Sequence, residues 1–157
     1  MARLIRADYP GKNPVLLSVL KGSFIFLADL LRELYVLGLT DVEVDFMTVS
    51  SYGKGKEHQG SKVVGDITLD LNGKDVIVIE DIVDTGNTLA FIKDHLSAKN
   101  PASVTIATLL DKKEKREVEI DVKYIGFAIS GTPWVEGYGL DGGLYGRGRP
   151  DIVEVSP

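Results

Sequence analysis

Glu80 and Asp81 are adjacent carboxylates, and Asp84-Thr85-Gly86-Asn87-Thr88 follows two residues later with an acid, two hydroxyls, an amide and a glycine. Paired carboxylates accept hydrogen bonds from vicinal hydroxyls such as ribose O2 and O3, and they also suit a hard cation such as Mg2+. Hydroxyls and free backbone N–H groups at a helix N-terminus suit a phosphate, which the helix dipole favours. Gly86 has no Cβ, so backbone can approach an anion closely. Two acids beside a phosphate would repel it unless they serve another part of the ligand. The site therefore reads as a ribose 5-phosphate cradle, with the sugar on the acids and the phosphate on the loop. A plain strand–loop–helix junction with Asp84 or Thr85 as N-cap accounts for any one of these residues, but not for the whole run in this order. Other nucleotide motifs do not fit: there is no G-x-x-x-x-G-K-[ST], and no G-x-G-x-x-G joins an expected strand to an expected helix. A receiver domain would place its acids near the first strand rather than in mid-chain.

The elements around this run can position it. Val76-Ile77-Val78-Ile79 is a β-branched run of the kind buried in parallel sheets, and the acid pair is expected to end that strand. A helix is expected from Leu89 to Ala98. Ligands of open α/β sheets bind outside the carboxyl ends of the strands, which is where the acids and the loop fall. Further strands are expected over Pro14–Leu20, Val42–Val49, Val63–Leu71, Ser103–Leu110, Val122–Ile129, Trp134–Leu140 and Ile152–Val155. A second helix is expected over Phe24–Leu37, closed by Gly38. Ser50–Lys62 carries Gly53, Gly55 and Gly60 with little apolar content and reads as a mobile loop. Asn72-Gly73 is a turn signal, Lys112–Glu117 a charged connection, and 142–150 glycine-rich irregular chain.

The fold class is thus α/β: a central, mostly parallel sheet flanked by helices, with β-rich appendages able to form a small flap. The 157 residues suit one domain with a real core. With 44% hydrophobic and 26% charged residues the composition is that of a soluble globular chain, with no apolar run able to span a membrane and no signal peptide. The absence of cysteine excludes disulfides and thiolate chemistry. A net charge of −5 speaks against a general nucleic-acid surface. His58 and His95 lack ligand spacing.

Four further constellations stand out. Lys21-Gly22-Ser23 places a cation and a glycine at the end of the first strand, which suits pyrophosphate. Ser51-Tyr52 opens the glycine-rich loop. Lys112 ends a strand in Leu109-Leu110-Asp111-Lys112, where a solvated charged turn is the plain reading. Trp134-Val135-Glu136-Gly137-Tyr138-Gly139-Leu140-Asp141 offers an aromatic that can stack on a flat base, or else pack in a core or flap.

The run Glu80 to Thr88 resembles the phosphoribosyl-pyrophosphate signature of the type I phosphoribosyltransferases, and specifically that of the hypoxanthine-guanine phosphoribosyltransferase family. The resemblance extends from about Asp8 to the C-terminus. It implies the type I phosphoribosyltransferase fold in a single domain over 1–157, with a small hood over the base site contributed mainly by about 122–157. It implies purine salvage: transfer of the 5-phosphoribosyl group from phosphoribosyl pyrophosphate to hypoxanthine or guanine, giving IMP or GMP and pyrophosphate. By the same resemblance Glu80 and Asp81 hold ribose hydroxyls and Mg2+, and Thr85, Gly86, Asn87 and Thr88 hold the 5-phosphate. Asp84 is the acid–base group. Lys21 and Gly22 contact pyrophosphate through a strained, often cis, peptide. Ser51 and Tyr52 ride a lid that excludes water from a cation-like sugar. Lys112 donates to the purine 6-oxo group, Trp134 stacks on the base and the backbone at Val135 reads its edge. Asp141 serves a second Mg2+. Arg147 matches the family's pyrophosphate-binding arginine, with Arg149 able to substitute.

The sequence departs from the family in three places. The family usually carries an extra strand and part of a helix before the equivalent of Asp8, so a looser flap is expected. Pro133 stands where lysine is common, Glu136 where valine is common, and 142–149 is unusually rich in glycine. The resemblance also implies a cytoplasmic homodimer or homotetramer with no nucleic-acid or membrane partner. An RNA-binding regulator on the same fold is the alternative. The acidic balance, together with Lys112, Trp134 and Asp141, speaks against it.

Overall fold

A computed structural model describes residues 1–52, 60–141 and 145–155, with the side chains of 51 and 52 outside the description. The elements in chain order are α1 (Ala2–Asp8), β1 (Val15–Leu20), α2 (Phe24–Val36), β2 (Glu43–Tyr52), β3 (Gly60–Gly65), β4 (Asp75–Val83), α3 (Asn87–Ser97), β5 (Ser103–Asp111), β6 (Tyr124–Ala128), β7 (Trp134–Glu136) and β8 (Val153–Val155). A single 3-10 turn, Lys113–Lys115, lies between β5 and β6.

One sheet runs in the order β3-β2-β1-β4-β5-β6, and a second holds β7 and β8. All neighbours in the first sheet are parallel except β2 and β3. The chain leaves β1 through α2 toward β2 on one side, while β4 through α3 leads to β5 on the other. The switch point therefore lies between β1 and β4, where Val15 stands opposite Val76 and Ser18 opposite Ile79.

Alternation along the central strands sorts the core. Leu16, Ile77 and Ile79 pack with Phe26, Leu27, Leu30 and Leu34 of α2 and with Ile5 of α1. Val15, Leu17, Val76 and Val78 pack with Leu89, Ile92 and Leu96 of α3. With helices on both faces, β1 and β4 need apolar residues on both, which is why they read as unbroken hydrophobic runs.

Several elements differ from expectation, among them β7, which ends at Glu136 rather than Leu140. The strand expected over Val63–Leu71 is instead β3, Gly60–Gly65, and the chain then leaves the ladder. Asp45 on β2 is the cause: its buried carboxylate accepts the N–H of Phe46 at 2.7 Å, Thr68 at 2.7 Å and Leu69 at 2.9 Å. These bonds satisfy backbone that a strand would have paired. The loop expected over Ser50–Lys62 is strand at both ends, with Ser51 opposite Ser61 and Tyr52 opposite Gly60. The remainder of that expected lid, 53–59, lies outside the described residues, as does 142–144 of the glycine-rich stretch. Helix α1 was not foreseen, since its short span buries only Ile5. In the chain from 122 onward, Tyr124–Ala128 is the outer strand of the main sheet, and among the described residues β7 and β8 form a separate one.

Candidate active site

Strand β4 does not stop at the acid pair but continues to Val83, because β5 is long enough to pair with it, Ile82 opposite Leu110 and Val83 opposite Asp111. Glu80 is consequently buried, and Asp81 half-buried. Burial, followed by repulsion from Asp81, pushes the Glu80 carboxyl well above its ordinary range. Burial raises Asp81 too, against hydrogen bonds from Glu80 and backbone and the field of Arg147. Such a pair gains from any ligand that brings hydroxyl donors or positive charge.

Across the switch point, the β1–α2 connection brings Gly22 directly against the Asp81 carboxylate. The Leu20–Lys21 peptide is cis. Lys21 is exposed, whereas Ser23 is buried and donates to Val19 O at 2.6 Å. Beyond β4 the loop turns into α3 through Gly86, whose φ is +90°. A Cβ there would stand 2.6 Å from Val118 O. The need for glycine is thus set by the fold itself, not by anion approach alone. Thr85 Oγ1 accepts the Asn87 N–H at 3.4 Å and its Nδ2 at 3.2 Å.

Two small cavities meet at the end of β4. One, about 90 Å3, is lined by Glu80, Ile82, Val83, Asp84, Thr85, Gly86, Thr88 and Leu89. The other, about 160 Å3, is lined by Asp81, Ile82, Asp84, Lys112, Trp134, Val135, Leu140 and Asp141. Ile82 and Asp84 belong to both. Among the described residues Asp84 Oδ1 is buried without a hydrogen-bond partner, and Oδ2 meets Lys115 at 3.4 Å. An orphaned buried carboxylate oxygen is costly unless a ligand uses it. Lys112 is buried, with Nζ donating to Pro133 O at 2.6 Å. Burial pushes its pKa down, and Asp84 partly restores it. Trp134 is 53% exposed, so a ring face remains available.

Arg147 donates to Gly139 O at 2.6 Å and pairs with Asp141, while Arg149 pairs with Asp151 at 3.1 Å. Of the two arginines left open by sequence, Arg147 is the one beside the acids. The side chains of Ser51 and Tyr52 lie outside the described residues. A much larger concavity, about 1090 Å3, lies elsewhere. It is mainly apolar, includes Phe26, Leu30, Val36, Phe127 and Ile129, and contains none of the expected site residues. The acids and the donors line the two smaller cavities instead.

Sequence reasoning missed Arg116 and Glu117. Arg116 donates to Asp84 O at 2.8 Å and pairs with buried Asp111, and Glu117 accepts from Asn87 Nδ2 at 2.7 Å. Their only signal was membership of a charged run, which more often marks a solvated turn.

Among the described residues no group of three or more His, Cys, Asp or Glu side chains could hold a metal by itself. The adjacent carboxylates of Glu80 and Asp81 are of the kind that suits Mg2+, which is commonly bound through one or two carboxylates together with substrate phosphates.

Fold and site define an α/β protein that handles a phosphorylated sugar or nucleotide above its switch point. The family model of the phosphoribosyl transferase domain matches residues 1–141. A hypoxanthine-guanine phosphoribosyltransferase of Aquifex aeolicus is 42% identical over 157 residues, 99% of this chain and 85% of that protein. A hypoxanthine phosphoribosyltransferase of Escherichia coli K12 is 46% identical over 146 residues, 92% of this chain and 79% of that one. A crystal structure of a hypoxanthine-guanine phosphoribosyltransferase from Bacillus anthracis, with a HEPES molecule in the active site, matches with a TM-score of 0.90 at 43% identity, over 99% of this chain and 88% of that chain. The chain belongs to the phosphoribosyl transferase family, among the hypoxanthine and hypoxanthine-guanine phosphoribosyltransferases.

Proposed function

We propose that the protein transfers the 5-phosphoribosyl group of phosphoribosyl pyrophosphate to N9 of hypoxanthine or guanine, releasing pyrophosphate and giving IMP or GMP. The observation that carries this reading is the pair of cavities joined at Asp84, one lined by the 84–88 loop and the other by Lys112, Trp134 and Val135. The loop and the first turn of α3 receive the 5-phosphate through Thr85, Gly86, Asn87 and Thr88. Glu80 and Asp81 receive the ribose hydroxyls. Lys21, Gly22 and Arg147 face the pyrophosphate, with Arg147 leaving Asp141 to do so.

In the transfer the anomeric C1–oxygen bond to pyrophosphate breaks and the C1–N9 bond forms. The ring proton displaced from the purine passes to the Asp84 carboxylate, whose Oδ1 has no partner among the described residues. Lys112 keeps donors beyond the one on Pro133 O, and these meet the 6-oxo group; adenine offers an amino donor there and is disfavoured. Trp134 stacks on the base. Mg2+ held by Glu80 and Asp81, and a second Mg2+ at Asp141, would neutralise the leaving pyrophosphate. Ser51 and Tyr52 begin the lid that keeps water from the reacting carbon.

Among the described residues no helix is long and apolar enough to cross a membrane. A cytoplasmic homodimer or homotetramer is the form we expect, and light scattering reads the assembly. The function is tested by supplying phosphoribosyl pyrophosphate and Mg2+ with hypoxanthine, guanine, xanthine or adenine in turn. Turnover of an oxopurine without turnover of adenine is expected. Turnover of none, with phosphoribosyl pyrophosphate still bound, would favour a regulatory role.

A further inference from the structure

The segment after β5 looks by composition like a solvated turn, yet it grips the loop residue by residue. Arg116 donates to the carbonyl of Asp84 at 2.8 Å. The N–H groups of Glu117 and Val118 donate to Thr85 O at 2.9 and 3.1 Å. Val118 O closes on Gly86, and the Glu117 carboxylate takes the Asn87 amide at 2.7 Å. Of these side chains only Arg116 is deeply held: it is 13% exposed, and its partner Asp111 is 6% exposed. Its second guanidinium nitrogen is on Asp111, which the β5 ladder fixes opposite Val83. One planar fork therefore ties the end of the sheet to the first residue of the loop. Lysine, with a single ammonium, cannot reproduce that fixed geometry.

The base half of the site is anchored differently. The Lys112 N–H is on Val83 O at 2.9 Å and its Nζ on Pro133 O, while Trp134 belongs to the β7–β8 sheet. We propose that Arg116 is a positioning residue for phosphoribosyl pyrophosphate: held by Asp111, it fixes the Asp84 main chain and the 84–88 cradle, and it acts on phosphoribosyl pyrophosphate binding rather than on purine binding. This rests on the function proposed above.

The test uses the full chain with Arg116→Gln, Arg116→Lys and Asp111→Asn. Calorimetry reads phosphoribosyl pyrophosphate binding in the presence of Mg2+, and turnover gives KM for each substrate. Arg116→Gln should weaken phosphoribosyl pyrophosphate about tenfold or more, as loss of a charge-assisted bond does. KM for the purine should stay unchanged. Arg116→Lys should recover part of the loss, and Asp111→Asn should shift the same parameter in the same direction. Unchanged phosphoribosyl pyrophosphate binding in Arg116→Gln overturns the proposal. So does a parallel rise of both KM values as the melting temperature falls, which is the mark of general loosening. If Arg116→Gln does not fold, the other two variants carry the same criteria. A wild-type chain that binds phosphoribosyl pyrophosphate but converts no purine sinks the enzymatic reading alone, because the calorimetric comparison still decides the role of Arg116. A wild-type chain that binds none overturns both.

Discussion

Gly22 and Asp81 touch across the switch point: a Cβ on Gly22 would lie 1.5 Å from Asp81 Oδ2 and 2.4 Å from its Cγ. No side chain fits at 22 while Asp81 keeps its place. On the other side Gly139, with φ +101°, closes on Gly22 O, where a Cβ would lie 2.1 Å away. The β1–α2 connection is thus packed between an acid of β4 and the chain that follows β7.

Gly22→Ala should therefore displace the Asp81 carboxylate. Overpacking of this kind costs about 1–3 kcal/mol of stability. The larger effect should be on phosphoribosyl pyrophosphate and Mg2+, whose affinities fall together. Calorimetry with and without Mg2+ reads this. Normal affinity in a folded Gly22→Ala protein would show that Asp81 can move without consequence.

Asp84→Asn keeps the size of the side chain and removes its basicity. Positioned proton transfer contributes about 10²–10⁴ in rate. Turnover should fall into that range while nucleotide affinity changes little. Rapid-quench turnover and equilibrium binding of IMP separate the two, and equal losses in both would count against the acid–base role.

Asp45 holds no site residue, yet the fold depends on it. Burial alone would raise its pKa, but bonds from the N–H groups of Leu69, Phe46 and Thr68 and from the Thr68 hydroxyl hold it below the ordinary range. Asp45→Ala orphans those donors and should cost about 3 kcal/mol in urea denaturation. Turnover per folded molecule should be unaffected. A loss below the level of one hydrogen bond would mean that water replaces the carboxylate.

Asp66 gives the chain an acid-sensitive tether. Burial pushes its carboxyl up, but bonds from His95, Lys99 and the Ile67 N–H outweigh this and bring it down to about 2 from 3.8. A folded-state pKa below the unfolded one adds stability that is complete above the unfolded value and lost as pH falls through the folded one. The window is therefore about pH 4 down to 2, and because the carboxylate is 40% exposed the contribution is about 1 kcal/mol after screening. Urea midpoints of wild type and Asp66→Asn should differ near neutrality and converge toward pH 2. Parallel curves across that range would remove Asp66 from the account.

The legible parts of the chain were those where local pattern and tertiary role agree. The Val76–Ile79 run is β-branched because both faces of β4 are covered, and periodicity marks Phe24–Val36 because one face of α2 meets the sheet. Partners far apart in sequence left no such mark. Nothing local tells that Asp45 binds backbone 23 and 24 residues away, so Asp66–Leu71 read as strand. Nothing in Lys112–Glu117 tells that Arg116 turns inward to Asp111 and Asp84 O while its neighbours stay wet. The end of β4 was misplaced because carboxylates usually mark a strand's exit, and here β5 keeps Glu80 in the ladder opposite Thr108.

Lys112 offers a sharp test of base recognition because it is buried where lysine is costly. Its Nζ lies 2.6 Å from Pro133 O, which satisfies one of three donors and leaves the others facing the cavity of Asp84 and Trp134. Lys112→Met preserves the length of the side chain, relieves the desolvation and removes the donors together with the charge that faces Asp84, so the variant should fold at least as well as wild type. Its KM for hypoxanthine and guanine should rise about 10–100-fold, the range expected for a charged donor lost from a buried acceptor. Phosphoribosyl pyrophosphate binding should hold, because the 84–88 loop is gripped from Arg116 to Val118 rather than from Lys112. Adenine should remain inert, since methionine supplies no acceptor for its amino group. Steady-state kinetics with both substrates varied decides the matter: a rise confined to phosphoribosyl pyrophosphate would move Lys112 out of the base site, and unchanged kinetics would leave it with a purely structural bond to Pro133.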